Sequence, residues 1–280
     1  MGKTTIEWAS HTWNPYTWAC RKVSPGCANC YAEFLAERRN GPGAFNRAPQ
    51  WRGARAMQEI RRMPRGAVVF VNSMSDTYHE QARLTWIHSI HNIAAYLRPD
   101  VTFLLLTKRP ERALGLARYL AYPPNLWVGT SVENADYLWR LDYLLRIPAA
   151  GHFVSAEPLL GPLPGLLPYV AKSFAGTDSY GDRVEMRLSL KRRLRWVIVG
   201  AESGAKRRPF DKAWARDIRD MCGRAGVAYM FKQGSAYMSG QDRLLDGRTW
   251  DETPFTPRAQ AVPAVPMPIL PVQMGLWGER

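Results

Sequence analysis

Short apolar runs closed by polar tips recur along most of this chain. Ala67–Val71 is followed by Asn72 to Asp76, Val101–Leu106 by Thr107, Lys108 and Arg109, and Leu126–Val128 by Gly129 to Asn134. The pattern continues with Gly151–Val154 before Ser155 to Pro158, Trp196–Val199 before Gly200 to Gly204, and Val227–Phe231 before Lys232 and Gln233. Runs that stay apolar at successive positions are strands buried on both faces, as in parallel sheets. Between them, Leu84–Leu97, Arg112–Leu120, Ala135–Arg146 and Asp211–Ala225 carry apolar residues at helical spacing. Strand, polar tip and helix in repetition predict an α/β fold, a partial or full parallel β/α barrel of the TIM-barrel type in a single domain. Near the start, Thr4–Trp8 reads as the first strand, Ala9–Ala19 as a polar loop and Tyr31–Arg39 as a helix.

Two stretches stand outside this rhythm. Leu159–Arg195 begins Pro/Leu-rich and ends in a basic run, which predicts an insertion between strands. From Thr253 onward the prolines of Val262 to Pro271 forbid helix and central strand and predict an extended tail. The expected division is therefore a barrel over 1–252, with a cysteine loop at 20–30 and the insertion at 159–195, and a tail over 253–280. Polar residues just past the ends of parallel strands share one rim, where barrel enzymes place their chemistry.

Charge adds a partner to this picture. The 38 Lys and Arg against 24 Asp and Glu give +14 over 280 residues, beyond what solubility requires. A polyanion, nucleic acid or a nucleotide, is the expected partner; solvated arginines in a basic proteome are the alternative. The stretch Arg52 to Arg65 follows Phe45 and Trp51, the pairing of cations with rings used by single-strand grooves, and nominates Arg52 and Arg55 as substrate contacts. A solvated helix face with two core aromatics explains the same residues. No run of 18 apolar residues and no secretory leader is present, so a cytoplasmic protein without a membrane partner is expected.

Three of the four cysteines, Cys20, Cys27 and Cys30, fall within eleven positions, on a segment turned by Pro25 and Gly26. Three thiolates suit a metal centre whose fourth position is open or filled from a distance. An iron–sulfur cluster, a zinc site completed by His11 or Cys222, and ordinary core or disulfide cysteines all remain open on spacing. With one iron free, a cluster can be chelated by the amine and carboxylate of a molecule such as S-adenosylmethionine.

The run Ile6-Glu7-Trp8, Trp13-Asn14-Pro15, Cys20, Ser24-Pro25-Gly26-Cys27 and Cys30-Tyr31-Ala32-Glu33 resembles the opening of a three-cysteine-motif, radical-SAM-like family of phage and bacterial proteins. Leu105 to Pro110, Trp127 to Asn134, Ser155 to Leu159, Trp196 to Gly204 and Phe231 to Gln233 extend that resemblance from about 4 to 254. It implies a radical-SAM barrel, a 4Fe-4S cluster on Cys20, Cys27 and Cys30, bound S-adenosylmethionine and an external electron donor. Six residues in the first gap depart from the commoner C-x3-C-x2-C spacing of radical-SAM proteins.

On that reading Asn72, Ser73, Ser75 and Asp76 meet the cofactor amine and Lys108 its carboxylate. Ser131, Glu133 and Asn134 meet the ribose, and Gly200 to Gly204 gives a close-approach turn for adenine or phosphate. Glu157 and Glu202 end strands and are candidate acid/base residues, while Lys232 and Gln233 are candidates for substrate phosphate or a base edge. The expected activity is reductive cleavage of S-adenosylmethionine to modify or repair a nucleic acid or related substrate. A zinc-stabilised nucleic-acid-binding protein without catalysis is the alternative, and a barrel hydrolase using Glu157 and Glu202, its cluster merely structural, is a third reading.

Overall fold

The computed structural model describes residues 4, 6–171, 173–177, 183–187 and 193–255. Its strands are β1 (His11–Trp13), β2 (Val68–Val71), β3 (Thr102–Thr107), β4 (Leu126–Ser131), β5 (Gly151–Ala156), β6 (Ser173–Thr177), β7 (Arg183–Arg187), β8 (Trp196–Gly200), β9 (Ala228–Gln233) and β10 (Trp250–Asp251). The helices are α1 (Tyr31–Asn40), α2 (Gly53–Arg61), α3 (Leu84–Asn92), α4 (Pro110–Leu116), α5 (Trp139–Leu144), α6 (Leu167–Val170) and α7 (Lys212–Ala225). One sheet of eight strands runs β1-β2-β3-β4-β5-β8-β9-β10, parallel except for β10. Within the 159–195 stretch, β6 pairs antiparallel with β7.

Strand alternation divides the interior into two layers. Val69, Val71, Phe103, Leu105, Val128, Val154, Val197 and Val199 pack outward against Ile87 and Ile90 of α3, Leu141 and Leu144 of α5, and Ile218 of α7. Phe70, Leu104, Trp127, Phe153, Trp196, Ile198 and Met230 point the other way, into a cluster to which no helix contributes. Strands that bury both faces this way carry continuous apolar runs.

The inner layer shows that the sheet is curled. Phe70 on β2 and Trp196 on β8 are four strands apart, about 19 Å in a flat sheet. Yet the Trp8 ring lies 4.4 Å from Phe70 and 6.3 Å from Trp196. One indole can reach both only where the strands bend into a half-barrel. Glycines make room inside it: a Cβ at Gly129 would lie 2.5 Å from the Phe153 ring, and one at Gly151 equally close to the Trp127 ring. Phe255 packs its ring on Trp127 and Trp196, 4.9 and 5.4 Å away. The expected extended tail beyond it lies outside the described residues.

The first strand differs from expectation. Among the described residues of 4–8 there is no strand; pairing with Val69–Val71 is made by His11–Trp13, within the expected loop. Ile6 and Trp8 are apolar because they plug the concave face, not because they alternate along a ladder. Smaller shifts follow local chemistry: α4 begins at Pro110, a residue suited to a first helical turn, ahead of the expected Arg112. Asp211 caps α7, accepting from the Ala213 amide at 2.8 Å. Among the described residues no helix is long and apolar enough to cross a membrane.

Buried His91 of α3 makes this layer pH-sensitive. Its Nε2 lies 3.1 Å from the Tyr78 hydroxyl and its Nδ1 2.7 Å from the Ala121 carbonyl oxygen. Burial lowers its pKa from 6.5 to about 4. The unfolded chain therefore binds the extra proton first, and His91 should draw stability down as pH falls from about 6.5 to about 4. Urea midpoints measured across that window test this: a His91→Gln variant should show a shallower decline, and an unchanged profile would remove His91 as the cause.

Candidate functional site at the strand ends

Six polar contacts fasten the cysteine segment over the C-terminal rim of the sheet. Tyr31 donates its hydroxyl proton to the Ser73 carbonyl after β2 at 2.7 Å, and Arg109 after β3 donates to the Arg21 carbonyl at 3.2 Å. Ser24 donates to Glu133 Oε1 after β4 at 2.6 Å. After β8, Glu202 accepts from Asn29 at 3.0 Å, the Lys206 carbonyl accepts from the same amide at 2.9 Å, and Arg208 donates to the Pro25 carbonyl at 3.0 Å. Four strand ends thus hold one loop. Its Pro25–Cys27 turn is 3-10 helical and Cys30 sits at the N-cap of α1.

All three loop thiols are free and partly buried. Cys20 and Cys30 pack beside Ala32, Ala36, Phe45 and Met74. Burial, and then the Asp76 carboxylate, push the Cys20 thiol up to about 12 against the pull of Arg109, whose guanidinium lies 3.9 Å from the sulfur. Burial also raises Cys30. As the side chains stand, no three or more His, Cys, Asp or Glu among the described residues surround a single metal position. Neither expected fourth ligand for zinc is near: Cys222 is buried in the outer layer on α7, and His11 begins β1, at the end of that strand away from the rim.

Beneath the loop lie two buried or half-buried carboxylates with their cations. Glu133, 0% exposed, receives Arg140 of α5 at 2.9 Å on Oε2 and Lys108 at 3.5 Å on Oε1. Glu157 after β5 meets Lys232 of β9 at 3.1 Å and accepts from Ser155 at 3.0 Å. β8 runs between those strands, and Gly200 lets the carboxylate pass: a Cβ there would sit 2.6 Å from Glu157 Oε1. Gly204 adopts φ +100°, a left-handed turn that glycine takes without strain.

Other expected site residues are occupied in holding the rim together. Asn72 accepts from the Tyr16 amide and donates to Thr77, inside the core. Ser73 pairs its hydroxyl with Asn14. Asp76 takes Thr107, the Lys108 amide and Arg109, at 2.8 to 3.2 Å. Gln233 donates to the Ala201 carbonyl and accepts from Ser239 and the Gly240 amide. Arg52 forks onto Glu59 and the Asn14 carbonyl, and exposed Arg55 reaches the same Glu59. Phe45 is buried in the core, and half-buried Trp51 packs edge-on against Tyr16.

Glu202 is a tether. Burial pushes its pKa up, but hydrogen bonds from the Arg208 side chain and amide and from Asn29 outweigh it and hold it below the ordinary carboxylate value. A carboxylate held ionised in this way does not donate protons near neutrality. By contrast, Ser75 Oγ and Asn134 Oδ1 are buried with no partner among the described residues. Ser131 lends its carbonyl to Arg140.

Fold and site together define an α/β half-barrel protein whose polar side chains gather at the strand ends under a cysteine loop. The chain belongs to the DUF5131 family, described as proteins of unknown function, which it matches over residues 3–254. No curated protein and no solved structure matches it.

Proposed function

We propose that this chain is a radical-SAM-like enzyme in which Cys20, Cys27 and Cys30 hold a 4Fe-4S cluster over the rim, with a nucleic acid or nucleotide as substrate. The observation that carries the reading is a loop bearing three unpaired thiols fastened across four strand ends. Donor chemistry fits: cysteine thiolates are the ligands that hold iron–sulfur clusters, and all three loop cysteines are free. The orphaned Ser75 Oγ and Asn134 Oδ1 fit as well, since buried polar atoms without partners cost about 1–3 kcal/mol each unless a ligand supplies them.

Held by Cys20, Cys27 and Cys30, a cluster would supply the one-electron reducing chemistry that cleaves S-adenosylmethionine. The chain's own residues bind and orient. Ser75 and Asn134 offer hydrogen bonds to the cofactor's polar groups, and Lys108 and Lys232 offer cations to a carboxylate or phosphate. The aromatic inner layer closes the half-barrel below the rim against water. Glu202 and Arg208 keep the loop seated, and the electron comes from an external donor.

Anaerobic iron reconstitution followed by EPR of the reduced protein, with and without S-adenosylmethionine, tests this. A cluster signal that shifts with the cofactor is expected, and Cys27→Ser should abolish iron uptake. Stoichiometric zinc without iron, or a cluster indifferent to the cofactor, would overturn it.

A further inference from the structure

The stripe that α1 turns outward is of the kind a surface helix usually buries. Tyr31, Phe34, Leu35 and Arg38 follow the i, i+3, i+4, i+7 spacing that places residues on one helix face. That face is nevertheless open: Tyr31 is 52% exposed and Phe34 64%. The helix packs instead through the small residues Ala32 and Ala36, against Phe45 and Met74. Val23, on the cysteine loop that leads into α1, is also exposed.

Cations border this stripe. Arg38 makes no ion pair or hydrogen bond among the described residues, and Arg39 stacks its guanidinium 5.0 Å from the Trp18 ring centroid. Arg21 and Lys22 stand at the loop end with their own side chains exposed, Arg21 in a solvent-exposed pair with Glu80 that yields readily to a competing anion and Lys22 paired with half-buried Glu33. From Cys20 to Arg65 the chain carries ten arginines and lysines against three glutamates.

We infer that the exposed face of α1 binds single-stranded nucleic acid, with Phe34 and Tyr31 stacking on bases and Arg38 and Arg39 on the phosphates. This deepens the proposed function, on which it rests for the nucleic-acid substrate, by assigning the surface that receives the strand beside the cysteine loop. Rings open to solvent beside unpaired guanidinium groups match the two chemistries of a flexible strand, π-faces and phosphates; a closed duplex offers only the second. The local positive balance selects a polyanion over a neutral apolar partner.

Fluorescence anisotropy with labelled oligo-dT, oligo-U and a duplex, each about 12 nucleotides long, tests the assignment in a salt series. Wild-type protein should prefer a single strand, the two homopolymers separating DNA from RNA. Phe34→Ala, at an exposed helix position where alanine favours the fold, should weaken that binding about tenfold with an unchanged salt slope. Arg38→Glu with Arg39→Glu should weaken it and flatten the slope by roughly one to two. Single-strand binding indifferent to Phe34→Ala, or no single-strand binding at all, would overturn the inference and leave the stripe to a protein partner. EPR of reconstituted Phe34→Ala keeps the two readings apart: a normal cofactor-shifted signal with lost single-strand binding supports the surface, and a cluster-free protein with Phe34-dependent binding supports it while sinking the radical reading.

Discussion

Arg140→Met is expected to lower the unfolding free energy by about 3–5 kcal/mol, the cost of stripping a partner from a buried ion. Glu133 is 0% exposed, and Arg140 is the cation that meets its Oε2 at 2.9 Å while also donating to the Ser131 carbonyl at 2.8 Å. Without it, Lys108 at 3.5 Å and the Ser24 hydroxyl are left to balance a carboxylate that water does not reach. Methionine keeps most of the volume, so the loss reads the charge rather than a cavity. Adding Glu133→Gln should recover much of the stability, because a neutral amide needs no counter-ion and still accepts from Ser24. Urea unfolding of the single and double variants measures both, and a single-variant loss under about 1 kcal/mol would show that Glu133 is not held by this pair.

That interaction also marks where sequence reading stops. The six strand-and-tip units after β1 were legible because buried parallel strands must be apolar at every position and their tips must be polar. α7 was legible to within a residue because Asp211 caps it and Gly226, at φ +63°, ends it. Arg140 was not, because nothing local tells an arginine in the first turn of a helix that it will reach back to the tip of the preceding strand. Arg109 sits in a tip that sequence flagged, but its role depends on Asp76 and Glu80, which only the fold brings to it.

The same limit separates residues of one type. Glu157, Glu202 and Glu133 all follow strands and look alike in sequence, yet one pairs across a glycine with Lys232, one ties down the loop through Arg208 and Asn29, and one is sealed under it. Gln233 and Asn72 carry amides that suit a ligand in sequence, but the fold consumes them. Trp8 misled in another way. An alternating Ile6 and Trp8 has the period of a strand, and the curl that makes Trp8 a plug arises only from strands far along the chain.

Gly26→Ala should cost the loop its seat, weakening iron uptake roughly ten- to hundredfold at limiting iron, as expected from about 1–3 kcal/mol of overpacking. A Cβ at position 26 would fall 2.5 Å from Glu133 Oε1. The carboxylate cannot retreat, since Arg140 holds its other oxygen. No left-handed backbone demands glycine there, so space alone does. Cys27 follows directly, and a turn lifted off Glu133 carries that thiol away from the rim. Gly115→Ala gives the contrast: it lies in α4 with nothing within 4 Å of its Cβ, and should stabilise the protein by about 0.4–1 kcal/mol with iron uptake unchanged. If Gly26→Ala instead loads iron like the wild type, the thiols do not depend on the loop's contact with Glu133, and the cluster cannot be held in the seat proposed for it.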